Sequence, residues 1–214
     1  QLYIYVSPDD LKKLEKTFAS QREITPARML QAALAEEYNG ASITLSPEVK
    51  ALIAELTTLR PVVVPEEIHA HLRPYQERGF SWMYHNMRLG FGSILADDMG
   101  LGKTLQVITF LQKLKDDGLF AKKKALIVAP TGLLANWQAE LQRFAPSMTI
   151  HLYHGAKRNL TDFAHDILLT SYGLVRSDIE QLKKLKWQIV VIDEAQNIKN
   201  NDTAQSKAVR ALKA

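Results

Sequence analysis

The sequence predicts an α/β fold in which a parallel sheet is flanked by helices, preceded by a small, mainly helical region. Apolar runs such as residues 125–129 and 189–192 lack the alternation of a strand with one wet face. Such runs are typical of strands buried on both faces of a parallel sheet. Helical patterns separate these runs, which indicates a three-layer arrangement. Ligands of such folds bind at the carboxyl ends of the strands.

The first 60 residues are predicted to form the helical region. Tyr3–Val6 is predicted as a short strand, and three helices are predicted to begin at hydroxyl–proline pairs. The hydroxyl can cap the free amides, and proline tolerates the first helical position. Prolines at both ends of residues 61–65 indicate an extended linker over residues 61–71, and the main domain is predicted over residues 72–214. The three pairs are Ser7-Pro8, Thr25-Pro26 and Ser46-Pro47.

The main domain is predicted to alternate between strands and helices. The helices are expected at residues 73–88, 104–117, 132–144, 174–184 and from about 203, and the strands at 93–97, 125–129, 149–153, 166–170 and 188–193. Trp137 lies at helical spacing with several leucines, which fits either a core position or a side chain that faces DNA.

Composition narrows the class of protein. The chain has 214 residues and no cysteine, which excludes disulfides and thiolate metal sites. Its longest apolar stretches are too short to span a bilayer, so we expect a cytoplasmic protein that makes no membrane contact, associated with the nucleoid if it is bacterial. The net charge is +4, and the excess of Lys and Arg lies after residue 60. A basic balance attracts polyanions, although a charge of this size is also common among proteins that bind no nucleic acid.

Residues 99–104 predict a phosphate-binding loop. Gly100 and Gly102 allow a tight turn with inward amides, and the following helix adds partial positive charge at its start. Lys103 is predicted to neutralise the β and γ phosphates of a nucleotide, and the Thr104 hydroxyl to bind Mg²⁺. The strict pattern of such loops has glycine at position 97, where this chain has Asp97.

The strand at residues 188–193 is predicted to end in a catalytic acidic pair. Asp193 is expected to hold Mg²⁺, and Glu194 to orient and deprotonate the attacking water. Adjacent carboxylates also occur at ordinary strand ends. Their combination with the phosphate loop favours an ATP-hydrolysing site.

Five segments, in this order, resemble the motifs of the Swi/Snf family of superfamily-two DNA translocases, which have RecA-like lobes. Asp97 is what that family usually has before the loop, and Gln196 departs from its commoner histidine. The segments are Leu72-Arg73-Pro74-Tyr75-Gln76-Glu77-Arg78-Gly79, Asp97-Asp98-Met99-Gly100-Leu101-Gly102-Lys103-Thr104, Ala129-Pro130-Thr131-Gly132-Leu133-Leu134-Ala135-Asn136-Trp137, Leu169-Thr170-Ser171-Tyr172 and Asp193-Glu194-Ala195-Gln196.

The resemblance implies roles for individual residues. Arg73 and Gln76 belong to the adenine-recognition motif, in which Gln76 would read the adenine edge with its amide. Residues 99–104 would bind the nucleotide, with Lys103 and Glu194 as catalytic residues. Thr131 and Ser171 would contact phosphates of the nucleic acid backbone.

The resemblance also implies a function for the whole molecule. Residues 72–214 would be the first RecA-like lobe, lacking its C-terminal end, of an ATPase that translocates on double-stranded DNA or remodels nucleoprotein targets. Its partners would be duplex DNA and a second RecA-like lobe of the same chain, which supplies an arginine finger. Two alternatives remain at this stage: a lobe of an RNA or single-strand helicase, and a nucleotide- or DNA-binding module that is inactive alone.

Overall fold

The computed structural model describes residues 33, 35, 37–38, 41–42, 44–58, 60–98, 100–161 and 163–214. The chain divides into two compact units, residues 1–58 and 59–214. Three sequence predictions lie outside the described residues: the strand at 3–6 and the helix starts at Ser7-Pro8 and Thr25-Pro26. No helix of the described ranges is long and apolar enough to cross a membrane.

The described part of the first unit contains the helical residues 33 and 35, a two-stranded antiparallel sheet and a helix after it. Strand β1 (Glu37–Tyr38) pairs with β2 (Ala41–Ser42). Helix α1 (Pro47–Thr57) begins at the proline of the third predicted pair, as expected, because proline lacks the amide that the first helical position leaves unused.

The second unit is built on a parallel sheet of four strands in the order β4-β5-β3-β6. The strands are β3 (Lys124–Ala129), β4 (Ile150–Tyr153), β5 (Ile167–Ser171) and β6 (Trp187–Ile192). The helices are α2 (Pro74–Arg88), α3 (Lys103–Asp116), α4 (Leu134–Phe144), α5 (Tyr172–Ser177), α6 (Ile179–Leu182) and α7 (Ala204–Arg210).

Both faces of the central strands are covered, which confirms the predicted three-layer α/β arrangement. Alternate residues of β3 pack into two different cores. Leu126 and Val128 face a core that includes α5 and α7, whereas Ala125, Ile127 and Ala129 face a core that includes α2, α3 and α4. A strand with two dry faces explains the continuous apolar runs of the sequence.

The predicted strand at residues 93–97 is wrong in this structure. The segment runs extended from α2 to α3 and belongs to neither sheet. A strand exists only where a neighbour completes its hydrogen-bond ladder. Here side chains hold the segment instead: Asn86 Nδ2 donates to Ser93 Oγ at 3.0 Å, and Gln106 Nε2 donates to Asp97 Oδ2 at 3.3 Å. Ile94 consequently remains 84% exposed.

Strand β6 also departs from the expectation of a strand buried on both faces. It pairs with β3 on one side and is the last strand of the described sheet. Trp187 is buried, but the apolar residues 189–192 are only half-buried. The sequence could not distinguish this edge strand from an interior one, because both have the same apolar composition.

Candidate nucleotide-binding and hydrolysis site

The loop before α3 has the backbone conformation expected of an anion-binding turn. Gly100 and Gly102 have φ values of 84° and 73°, a left-handed conformation that glycine adopts at little cost. Helix α3 begins directly after this turn, and Gln106 N donates to Gly102 O at 3.2 Å. The amides of residues 103–105 precede that bond and point from the helix start, where an anionic group is favoured. Met99 lies outside the described residues.

The Lys103 ammonium group is bonded to backbone carbonyls of the segment just before it. Its Nζ donates to Asp97 O at 2.6 Å and to Asp98 O at 2.9 Å. An ammonium group has three donors, so one remains for another acceptor. Thr104, at the second position of α3, is half-buried. A cation and a hydroxyl therefore lie at the helix start, as the sequence predicts.

Helix α2 is tied to the phosphate loop through one carbonyl. Leu101 O accepts a hydrogen bond from Tyr75 Oη at 3.0 Å and another from Gln76 Nε2 at 3.1 Å. Gln76 is buried, and its Oε1 accepts from the backbone amide of Arg73 at 2.8 Å. The amide of Gln76 thus uses one donor and one lone pair on backbone partners. One donor and one lone pair remain for an adenine edge.

Gly102 is closely packed against Gln76. A Cβ atom at position 102 would lie 2.4 Å from Gln76 Nε2, whereas one at Gly100 would meet nothing within 4 Å. Glycine at 102 therefore permits both the left-handed turn and the contact with α2. Tyr75, which gives the loop its second bond, was not predicted as a site residue; its position beside Gln76 was the only signal.

A pocket of about 320 Å³ lies beside the loop. Gln106 reaches it from α3, and its buried Oε1 has no hydrogen-bond partner among the residues that the structure describes. Gly79 on α2 lies against the same oxygen, because a Cβ there would be only 2.0 Å away. The other lining residues are Tyr75, Arg78, Trp82, Ile94, Leu95, Ala96 and Asp97.

The acidic pair lies at the carboxyl end of β6. Asp193 N continues the strand ladder by donating to Val128 O at 2.9 Å. Glu194 then turns out of the strand with φ 51°, and no other non-glycine residue of the described ranges has a positive φ. Such backbone conformations cost about 1–3 kcal/mol and occur often at functional sites. Asp193 Oδ1 accepts from the amide of Glu194 at 2.9 Å, and both residues are half-buried.

Two buried aromatic side chains contact this pair. Trp137 Nε1, on α4, donates to Asp193 Oδ2 at 2.8 Å. Tyr172 Oη, at the start of α5, donates to Asp193 O and lies 3.3 Å from Glu194 O. Burial raises the pKa of Tyr172, and the negative charges of Asp193 and Glu194 raise it further, so its hydroxyl remains a donor. Trp137 is a core residue, as one of its two predicted interpretations had it, but its polar contact was not predicted.

Further polar groups surround the pair. Gln196, the departure from the commoner histidine, donates from Nε2 to Glu194 Oε2. Burial raises the pKa of Glu140, one turn beyond Trp137 on α4, and Asp193 contributes to that shift.

The residues present fit a hard divalent cation. Each oxygen of the Asp193 carboxylate accepts one hydrogen bond from the protein, so further lone pairs remain. Carboxylate and hydroxyl oxygens are the ligands that Mg²⁺ prefers. No hydrogen bond among the described residues joins Lys103 or Thr104 to Asp193 or Glu194.

The two residues predicted to contact nucleic acid differ in accessibility. Thr131 is exposed at the start of a short 3-10 turn, residues Thr131–Leu133, after β3. Ser171 ends β5 and is 4% exposed. Of the two residues, only Thr131 is therefore accessible to a nucleic acid backbone.

Comparisons with known proteins decide the family. The model of the SNF2-related domain matches residues 75–214, which is more than half of the chain. The chain belongs to the SNF2 family. A relative in Bacillus subtilis, the putative ATP-dependent helicase/translocase YwqA, is 43% identical over 185 residues. Helicase SWR1 of Debaryomyces hansenii is 34% identical over 182 residues.

A solved structure supports the assignment to the SNF2 family at the level of fold. The Sulfolobus solfataricus SWI2/SNF2 ATPase core in complex with dsDNA has 45% sequence identity and a TM-score of 0.65, over 72% of this chain and 32% of that chain. The alignments with YwqA and SWR1 include 82% and 81% of this chain. The chain spans only 20% of YwqA and 11% of SWR1. The RecA-like fold expected from the motifs is confirmed.

Proposed function

We propose that the chain is the first, ATP-binding lobe of a DNA-dependent ATPase that translocates on double-stranded DNA or remodels protein–DNA complexes. The observation that carries this proposal is a phosphate loop tied to α2 and an acidic pair at the end of β6, in one SNF2-family domain. ATP would bind with its phosphates at the start of α3, and the remaining donor and lone pair of Gln76 would meet the adenine edge.

The chain's own residues divide the work of hydrolysis. When ATP binds, the Lys103 ammonium group leaves the carbonyls of Asp97 and Asp98 and donates to phosphate oxygens instead. It then neutralises the negative charge of the phosphates. Glu194 orients the attacking water and accepts its proton. Thr104 and Asp193 would hold Mg²⁺, and the bound ion would supply further neutralisation of the phosphate charge. A second RecA-like lobe, in a longer protein, completes the cleft.

Duplex DNA is the favoured nucleic acid partner. The Sulfolobus solfataricus SWI2/SNF2 ATPase core was solved in complex with dsDNA. The aromatic residues next to the two predicted contact loops, Trp137 and Tyr172, are buried and bonded to the acidic pair, so they are not available to stack on unpaired bases. Contacts from the loop at Thr131 to phosphates would fix position without reading sequence. The site of action would be the cytoplasm, on nucleoprotein targets.

An ATPase titration of the full-length protein tests this proposal. Duplex DNA should stimulate turnover far more than single-stranded DNA or RNA does, and the stimulation should weaken as salt rises. The protein should displace a third strand from a triplex without separating the duplex. Preferential stimulation by single-stranded RNA, or efficient unwinding of a blunt duplex, would instead assign the protein to the unwinding helicases.

A further inference from the structure

The indole of Trp137 is aimed at a carboxylate and not at a backbone group. The side chain is 5% exposed, and its Nε1 donates to Asp193 Oδ2 at 2.8 Å. A buried indole N–H needs an acceptor, and an ionised acceptor gives a bond of about twice the strength of a neutral one. The backbone amide of Glu194 donates to Asp193 Oδ1, so each carboxylate oxygen of Asp193 accepts one hydrogen bond from the protein. The carboxylate therefore has one defined orientation.

The backbone that follows is held from a second element. Tyr172 Oη donates to Asp193 O and approaches Glu194 O at 3.3 Å. These carbonyls flank the left-handed turn at Glu194, whose φ is 51°. A strained turn persists only where its surroundings hold it. Asn197 also donates to Glu194 O, from Nδ2 at 2.8 Å and from its backbone amide at 2.9 Å, whereas Tyr172 Oη reaches the carbonyls of both Asp193 and Glu194.

We propose that Trp137 and Tyr172 are positioning residues for hydrolysis: Trp137 orients the Asp193 carboxylate, and Tyr172 holds the turn that presents Glu194. The proposal rests on the proposed function, because it concerns the same site. Trp137 and Tyr172 lie close in sequence to Thr131 and Ser171. The elements that carry the predicted nucleic acid loops are thus the elements that hold the acidic pair.

A matched pair of variants tests the role of Trp137 in the full-length protein. Trp137→Phe keeps a buried aromatic ring but removes the indole N–H together with the rest of the five-membered ring. Trp187→Phe makes the same change at a tryptophan that is 2% exposed and donates to Leu182 O at 3.0 Å, away from the pair. Outer partners of metal ligands typically contribute about 10–100-fold to metal affinity. The Mg²⁺ concentration for half-maximal binding of a fluorescent ATP analogue should rise by about that factor for Trp137→Phe alone. Equal behaviour of the two variants would overturn the proposal.

Tyr172 is tested by the same design. Tyr172→Phe should lower kcat and leave the affinity for the ATP analogue unchanged, because Asp193 and Lys103 still bind it. Tyr153→Phe is the control, since Tyr153 Oη donates at 2.8 Å to Asp178, away from the pair. Hydrogen exchange of the Glu194 amide should accelerate in Tyr172→Phe and in Trp137→Phe, without nucleotide. Unchanged exchange in both variants would reject the positioning role.

A measurement that leaves Trp137 in place covers the case in which Trp137→Phe fails to fold. The NMR signal of the Trp137 indole N–H should move when Asp193 is changed to Asn, and that of Trp187 should not. An unmoved Trp137 signal would overturn the proposal. These measurements need no catalysis. A negative result in them would therefore reject the positioning roles even if duplex DNA still stimulates the ATPase activity. Conversely, if the indole signal shifts but duplex DNA stimulates no ATPase activity, the contact between Trp137 and Asp193 is supported and the proposed function is rejected.

Discussion

Arg158 forms a bidentate pair with the Asp178 carboxylate: Nε donates to Oδ2 at 2.6 Å, and Nη2 donates to Oδ1 at 3.3 Å. Tyr153 Oη also donates to Oδ2 at 2.8 Å. The pair fastens the loop after β4 to the residue that separates α5 from α6. The guanidinium of Arg158 holds the pKa of Asp178 at about 2, against the opposing effect of burial.

The pH dependence of stability should reflect this pair. The pKa of Asp178 is lower in the folded than in the unfolded state, so its stabilisation is complete above about pH 4 and disappears as pH falls through 2. Asp178→Asn should therefore lower the free energy of unfolding by about 2 kcal/mol at neutral pH, with a difference that shrinks below pH 4. Urea unfolding at several pH values measures this. Glu180→Gln is the control, because Glu180 is 81% exposed in its pair with Lys183. An equal effect of both variants would contradict the prediction.

Lys103→Ala should weaken ATP binding by about 10–100-fold, since hydrogen bonds to charged groups contribute about 1.5–3 kcal/mol. Calorimetric titration with ATP measures the affinity. Lys113→Ala provides the control, because Lys113 lies on the same helix but bonds to Asp117 at 2.6 Å. An unchanged affinity of Lys103→Ala would remove Lys103 from the nucleotide site.

Gly102→Ala should destabilise the protein more than Gly100→Ala does. Both substitutions impose a left-handed conformation on a residue with a Cβ, at a cost of about 1–2 kcal/mol. Only at position 102 does the new atom also displace Gln76, from 2.4 Å. Thermal unfolding without nucleotide measures the difference. Indistinguishable melting temperatures would mean that Gln76 moves aside at no cost.

The two carboxylates should fail in different ways in the full-length protein. Glu194→Gln should keep ATP and Mg²⁺ bound, because Asp193 remains, but should abolish most hydrolysis. Asp193→Asn should instead weaken the Mg²⁺-dependent part of ATP binding. Binding and single-turnover hydrolysis, measured on each variant, separate the two roles. The same defects in both variants would show that our division of roles is wrong.

The 214-residue chain by itself should bind ATP but hydrolyse it at a negligible rate, with or without DNA. Phosphoryl transfer depends on positioning and charge neutralisation, and an arginine finger alone contributes about 10³–10⁵ in rate. We expect that group to come from the second lobe. A phosphate-release assay on the purified chain checks this, with the full-length protein as the positive control. Brisk turnover by the chain alone would contradict the two-lobe proposal.

Local rules were sufficient to predict most of the second unit from the sequence. The strands β3 and β5 lie where continuous apolar runs place them, and α3 begins within one residue of its predicted start after Gly102. The positions of Lys103 and Asp193 follow from those elements, because a loop and a strand end are fixed by their neighbours in sequence.

Contacts between distant segments were not predictable in the same way. Trp137 and Asp193 are 56 residues apart, and Tyr172 is 21 residues from Asp193. Helical spacing predicts that Trp137 lies in the core, but it does not predict which acceptor its indole N–H contacts. The strand predicted at residues 93–97 was wrong for the same reason: an apolar extended segment contains no information on whether a neighbour pairs with it.

That unpaired segment makes its distance from α2 and α3 a matter of side-chain length. Where a paired strand precedes a phosphate loop, the backbone hydrogen bonds of the sheet fix the position of the loop. Here the side chain of Asn86 on α2 and those of Gln106 and Lys103 on α3 set the distance to the segment. Exchanging Gln106 for a residue one methylene shorter should translate the loop, whereas the same exchange on a ladder-bound loop would leave it in place.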